Sequence, residues 1–366
     1  GCGTGRTSLL LRLRDLLGRN AAQYLDVERI ATTPERFLKS LRDTSPFPVQ
    51  APAGTGAGDG TSRDSFAAAL GFLANARGST GGPVTFLLDE FLEVRTFESF
   101  PGLRTALRDL VSAVGSSSNR FVLTTRYSAR AHRLLRDAPA RFEVLPVAPL
   151  STAEIRATLT AGAVGDDRRA SSFTGDDDQA RDELARLVHA ISDGRPRYAR
   201  MIAEAAATLA SRGGADPVSA LCALLAPGGQ LADACRYCYE LRLHRARGYG
   251  ALKAILDVLA EEESLTLTEI ALRLRRTPGS TKDYLSWLED VDLISSRQKR
   301  YSFVDPLLRV WVRLHCRPTP PSEEDVAREV HGYVMGRLPH TEPALAMAGA
   351  PRAAGPEKSW GIIEID

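Results

Sequence analysis

Apolar and polar positions alternate along the first 150 residues in two different rhythms. Short apolar runs at Ala22–Val27, Pro83–Leu88, Asn119–Leu123 and Arg141–Leu145 read as strands. Between them the apolar positions recur at helical spacing. A helix is predicted over 8–17, and another starts at Thr33-Pro34-Glu35 with threonine as cap and proline at its first position. Two more are predicted over about 63–77 and from Pro101 to Val114. The run at 83–88 has no polar alternation, which suits a strand buried on both faces of a parallel sheet. Strands that alternate with helices imply a parallel sheet with helices on both sides.

The strand rhythm stops near 149. Ser151 followed by Glu154 is a capping box, and the pattern to about 212 is helical only, interrupted by Asp176-Asp177-Asp178. Asp193-Gly194-Arg195-Pro196-Arg197-Tyr198 reads as a loop before a new helix. Residues 217–245 read as helical connectors broken at Pro227-Gly228-Gly229. From 246 to 316 the order changes: helices at about 249–261, 267–274 and 281–291, then strand, basic turn and strand over 293–303. Helix, helix, helix, hairpin is the order of a winged helix-turn-helix. Asp305-Pro306 then opens an amphipathic helix. Four segments follow: a sheet domain over 1–148, a helical lid and connector over 149–245, a winged helix over 246–316, and a largely loose tail over 317–366. Residues 44–62, rich in Pro, Gly, Ala and Thr, read as a flexible surface insertion.

The candidate chemistry sits at the ends of these elements. The chain opens Gly1-Cys2-Gly3-Thr4-Gly5-Arg6-Thr7-Ser8 before an apolar helix. Gly5 fits the second glycine of the phosphate-loop pattern G-x-x-x-x-G-K-[ST], and Thr7 fits its hydroxyl. Arg6 stands where lysine is expected, and the first glycine would lie before the chain begins, so the chain reads as an N-terminally truncated fragment. Glycines there let backbone N–H groups converge on phosphate oxygens, and the helix N-terminus favours anions. Gly3, Thr4, Gly5, Arg6, Thr7 and Ser8 are therefore the candidate phosphate cradle. Asp89 and Glu90 end the buried run at 83–88, a Walker B pattern. Asp89, with Thr7, is the candidate holder of Mg2+, and Glu90 is the candidate that orients and polarises an attacking water. Thr124 and Thr125 end the neighbouring strand, a position that resembles the one where AAA+-type ATPases place a sensor of the terminal phosphate.

Composition narrows the class. The net charge is +2 with 25% charged residues, so no global polyelectrolyte partner is implied. No stretch of eighteen apolar residues is present, so no membrane span is expected. The cysteines (Cys2, Cys222, Cys235, Cys238, Cys316) are scattered, which suits a reducing cytoplasm, and the Cys235/Cys238 pair reads as helix-face packing. Between 240 and 317 the chain carries 14 Lys/Arg against 11 Asp/Glu, well short of a strongly basic DNA-binding domain. Yet Arg273, Arg275, Arg276, Lys282, Arg297, Lys299 and Arg300 gather where a winged helix touches phosphates. DNA and a protein partner both stand as its target.

Gly5-Arg6-Thr7-Ser8-Leu9-Leu10, Leu88-Asp89-Glu90-Phe91, Pro149-Leu150-Ser151, Gly194-Arg195-Pro196 and Phe303-Val304-Asp305-Pro306 with Trp311 together resemble the "archaeal ATPase" group of P-loop proteins. That group lies near the STAND and Orc/Cdc6-type AAA+ families. The resemblance covers about residues 1–316. It implies an α/β P-loop NTPase sheet sandwiched by helices, then an all-α lid and a winged helix. It implies ATP or ADP with Mg2+ at the sheet edge and a nucleotide-dependent switch. It puts Pro196 near the base and makes Arg195 or Arg197 a phosphate sensor. Arg in place of the lysine keeps the charge on a bulkier planar fork, so slow or absent hydrolysis is expected. The alternative is a regulator that holds nucleotide or DNA without hydrolysis.

Overall fold

The structure is a computed structural model that describes residues 3–48, 60–136, 138, 142–162, 177–210, 216–243 and 248–338. Helix α1 (Arg6–Leu17) leaves the glycine loop and strand β1 (Ala22–Asp26) follows it. A short helix α2 (Val27–Ile30) leads to α3 (Pro34–Asp43), where the Thr33 hydroxyl accepts from Arg36 N at 3.2 Å, the cap expected from Thr-Pro-Glu. Helix α4 (Ser62–Asn75) begins at a capping box formed by Thr61 and Asp64. Strand β2 (Thr85–Asp89), a 3-10 helix (Phe91–Ser99), α5 (Ala106–Ser116), β3 (Arg120–Leu123) and α6 (Ser128–Arg136) complete the sheet domain.

The sheet is parallel with order β1-β2-β3, and Leu25 lies opposite Leu88 and Asp26 opposite Asp89. Every residue of β2 is buried, because α1 covers one face of the sheet and α3, α4 and α5 pack in the core on the other. Leu10, Ala22 and Leu87 form the small core under α1. The larger core includes an aromatic cluster: Phe86 stacks on Phe121 at 5.3 Å, and Phe97 meets Phe37 and Phe66 edge-on at 5.6 Å each.

The segment expected to be a lid and connector consists, in its described residues, of helices α7 (Thr152–Gly162), α8 (Asp177–Ser192), α9 (Pro196–Ala210), α10 (Pro217–Leu225) and α11 (Gln230–Leu243). The C-terminal module has α12 (Tyr249–Glu261), strand β4 (Leu265–Thr266), α13 (Leu267–Arg273), α14 (Pro278–Asp290) and the hairpin β5 (Ile294–Arg297) and β6 (Arg300–Phe303). β6 pairs antiparallel with both β5 and β4, so the hairpin joins a three-stranded sheet. The hairpin turn at Gln298 and Lys299 has φ of 51° and 63°. Helices α15 (Pro306–His315) and α16 (Glu323–Met335) close the chain's described part.

Several expectations are corrected. Residues 142–145 form no strand: they run without regular structure, and Val144 and Leu145 are exposed, with no strand partner among the described residues. The helix expected over 101–114 starts at Ala106, after the 3-10 turn over 91–99. α14 begins at Pro278 with Thr277 as its cap, so the expected turn is already helix. The tail expected to be loose contains α16, capped by Ser322 and anchored by buried Val326, Val330 and Val334. The rest of that tail, and most of the predicted insertion at 44–62, lie outside the described residues. Cys235 is buried and free, as read, but Cys238 is disulfide-bonded.

Asn119 fixes the sheet to α4. Its Oδ1 accepts from Val84 N at 3.1 Å, and its Nδ2 donates to Leu73 O at 2.9 Å and Ala76 O at 3.1 Å. These groups are at the end of a helix and the start of a strand, where no ladder partner exists. Asn119→Ala should therefore lower unfolding stability by about 2 kcal/mol, the cost of stranding buried backbone groups. Urea denaturation of parent and variant measures it, and a loss below about 0.5 kcal/mol would show the clamp to be redundant.

Candidate functional site

The site starts from two glycines. Gly3 and Gly5 have φ of 76° and 82°, a region that side-chain-bearing residues seldom adopt. Gly5 is the N-cap of α1 and has no side chain with which to cap the first N–H groups of that helix. N–H groups at a helix start, together with the helix dipole, favour an anion.

Thr7 brings its hydroxyl to Asp89 Oδ2 at 2.6 Å. Asp89 is only 4% exposed at the C-terminal end of β2. The Tyr24 hydroxyl donates to the same oxygen at 3.0 Å, and the Thr124 hydroxyl donates to Oδ1. A carboxylate this buried is tolerated only where donors replace its lost water. Burial first, and then the Asp89 charge, push the Tyr24 phenol well above its ordinary pKa, so it remains a donor.

Glu90 turns the chain with φ of 56°, a strained position for a residue with a side chain. Its backbone N donates to the Thr124 hydroxyl at 3.3 Å. Its Oε2 accepts from Arg126 N at 2.8 Å and lies 3.1 Å from Arg126 Nε. Its Oε1 lies 3.7 Å from Arg6 Nη2. The Arg126 guanidinium also pairs with Glu28. Burial works against the Arg126 charge, but Glu90 and Glu28 outweigh it and hold the group above its ordinary pKa. For Arg6, burial prevails over the attraction of Glu90 and lowers the pKa.

The lid reaches this loop through the start of α9. Pro196 lies against Gly5, where an added Cβ would sit 3.5 Å from Pro196 Cγ. Arg197 N donates to Gly3 O at 3.1 Å, and a Cβ on Gly3 would meet Arg197 Cβ at 3.0 Å. The loop is held from behind by Gly194, with φ of 64°, whose carbonyl accepts from Leu150 N at 2.7 Å. A Cβ there would lie 2.6 Å from Leu150 O.

The structure thus gathers Gly3, Thr4, Gly5, Arg6, Thr7, Asp89, Glu90 and Pro196 around the end of β2, while Ser8 is exposed on α1. Thr124, not Thr125, meets the acids; the Thr125 hydroxyl accepts instead from Tyr127 N at 3.1 Å. Arg195 does not face the loop. It is buried, 3.2 Å from Asp305, and donates to Val304 O at 2.7 Å. Arg197 occupies the place beside the glycines. Tyr24, Glu28 and Asp292 were not foreseen. Tyr24 had a signal, being two residues from the end of the strand beside β2. Asp292 had none, since it comes from the C-terminal module: its carboxylate accepts from Ser128 N at 2.5 Å and the Ser128 hydroxyl at 2.9 Å.

On that module, Arg273 pairs with Glu262 at 2.5 Å, and Arg300 lies 3.8 Å from Glu269 while donating to Ser264 O at 2.6 Å. Arg276 lies over the Tyr284 ring at 5.6 Å. Arg275, Lys282, Arg297 and Lys299 are exposed and have no carboxylate partner among the described residues.

No protein-family model matches the chain, and no curated protein matches it in sequence. Among solved structures, a Walker-type ATPase of Pyrococcus abyssi is similar with TM-score 0.58 and 18% identity, over 85% of this chain and 89% of that one. A single-site mutant of RuvB from Thermotoga maritima aligns at TM-score 0.37 and 13% identity, over 82% and 81%, and carries no weight here. At these identities the likeness concerns the fold: an α/β P-loop NTPase sheet with helices around it.

Proposed function

We propose that the chain binds ATP or ADP with Mg2+ at the loop of Gly3–Ser8 and uses the bound state as a switch with slow hydrolysis. The observation that carries this is the 2.6 Å contact between Thr7 and Asp89 at the N-terminal end of α1, where Gly5 is the N-cap. A hydroxyl and a carboxylate are hard oxygen donors, suited to Mg2+, which takes its remaining ligands from phosphates and water. In this reading the α1 N–H groups bind phosphate and Pro196 lies by the base. Arg6 supplies charge where lysine is usual, and Mg2+ screens the phosphates. Asp89→Ala in the full chain should weaken Mg2+-nucleotide binding at least tenfold and metal-free binding by clearly less. Calorimetry with and without Mg2+ decides it, and equal affinities would refute the assignment.

The second reading is a nucleotide-holding regulator without hydrolysis. The clamp on Glu90 favours it, because a base bonded to Arg126 is not free to take a proton from water. Glu90→Gln separates the two. If Glu90 acts on water, single-turnover hydrolysis should fall about a hundredfold or more with ATP affinity kept. Unchanged turnover would leave Glu90 a structural acid.

For the C-terminal module we propose a winged helix that contacts nucleic-acid phosphates. The support is the set of exposed, carboxylate-free cations Arg275, Lys282, Arg297 and Lys299 on α14's entry and on the wing. With about four phosphate contacts, the log–log salt slope for duplex DNA should be about −4. Replacing both Arg297 and Lys299 by Ala should flatten it by about two and weaken all sequences alike. Fluorescence anisotropy over a salt series tests this. Absence of binding at low salt would make the module a protein-interaction domain.

A further inference from the structure

The segment between the end of β3 and α6 is short and carries two different attachments. At its near end Thr124 bonds Asp89 and Glu90 N, and Arg126 holds Glu90 through both its backbone N–H and its side chain. At its far end the first turn of α6 is capped from another part of the molecule. Asp292, just after α14, accepts from Ser128 N at 2.5 Å, the Ser128 hydroxyl at 2.9 Å and Ala129 N at 3.4 Å. A carboxylate at a helix N-terminus satisfies unpaired N–H groups and the helix dipole at once. Asp292 is itself fixed, being 7% exposed with φ of 52°, while its carbonyl accepts from buried Arg242 Nη1 at 3.2 Å. Two residues earlier, Asp290 at the end of α14 pairs with Arg133 of α6. The last turn of α14 is therefore bolted to the sheet domain, and only Tyr127 separates that bolt from the residue clamping Glu90.

We propose that Asp292 is a positioning residue of the switch: by capping α6 it holds Arg126 on Glu90, so the seating of the C-terminal module restrains the acid at the nucleotide site. This rests on the nucleotide reading above and names its regulation. A ligand that draws α14 away from α6 breaks the cap, lets the 124–128 segment relax, and frees the Glu90 carboxylate to accept a proton from water. The effect belongs to turnover and not to ground-state affinity, because neither Asp292 nor Arg126 is part of the phosphate cradle.

The test uses the full chain with Asp292→Ala, Arg126→Ala and the double variant. Two readouts are taken: deuterium uptake of peptides spanning 124–130, and single-turnover hydrolysis beside ATP affinity. Asp292→Ala should raise uptake in that segment, which contains the Arg126 amide donated to Glu90. Each single variant should speed hydrolysis about tenfold, within the range a freed general base supplies, with affinity unchanged within about twofold. The double variant should be no faster than either single one, since both release the same clamp. Additive effects, slower hydrolysis with normal affinity, or unchanged uptake in Asp292→Ala would each overturn the proposal. If the parent chain binds no nucleotide, the nucleotide reading falls by itself, and uptake still decides whether Asp292 restrains the Arg126 segment.

Discussion

A carboxylate buried at the end of a fully buried strand must be satisfied from within the protein, and most of the site follows from that need at Asp89. Leaving a charge there without donors would cost several kcal/mol. Three hydroxyls meet it, and each comes from a different element: Thr7 from α1, Tyr24 from β1 and Thr124 from the end of β3. The register that sets Asp26 opposite Asp89 brings Tyr24 within reach, and the parallel order brings Thr124 to the other side. The glycine loop is then placed by Thr7. A charge that looks functional is also what aligns the loop, the helix and two strand ends.

The elements legible in the sequence are those whose physics is local. The cap at Thr33-Pro34, the capping box at Ser151 and Glu154 and the unbroken apolar run into Asp89 each depend on a few adjacent residues. The same holds for the order of helices and hairpin from 249 to 303. What failed depended on distant partners. Arg195 follows a glycine at a helix start, which suits a phosphate sensor, but Asp305 more than a hundred residues on claims it. Residues 142–145 have strand chemistry, yet a strand needs a partner edge and none of the described residues supplies one. α16 was hidden by its proline-rich approach, although Ser322 and Asp325 form a capping box as regular as the others.

The three parts of the chain are joined by buried polar contacts on top of shared apolar packing. Tyr198 on α9 donates to Asp305 at 2.8 Å, and Arg195 pairs with the same acid, so the lid's last loop is fastened to the start of α15. Burial and then the Asp305 charge push the Tyr198 phenol far above its ordinary pKa, which keeps the donor intact across the working pH range. Asp305 meanwhile caps α15 through Leu307 N and Leu308 N. One side chain thus ends a hairpin, starts a helix and receives the lid.

The close approach at Gly194 has a mechanical meaning. Its carbonyl takes the Leu150 N–H, and its bare Cα faces Leu150 O too closely for any larger residue. The chain leaving the sheet domain is therefore clasped to the loop that presents Pro196 and Arg197 to the glycines. Helices α7 and α9 cannot swing separately while that clasp is closed. The stretch 143–148 just upstream of the clasp is exposed and has no regular structure.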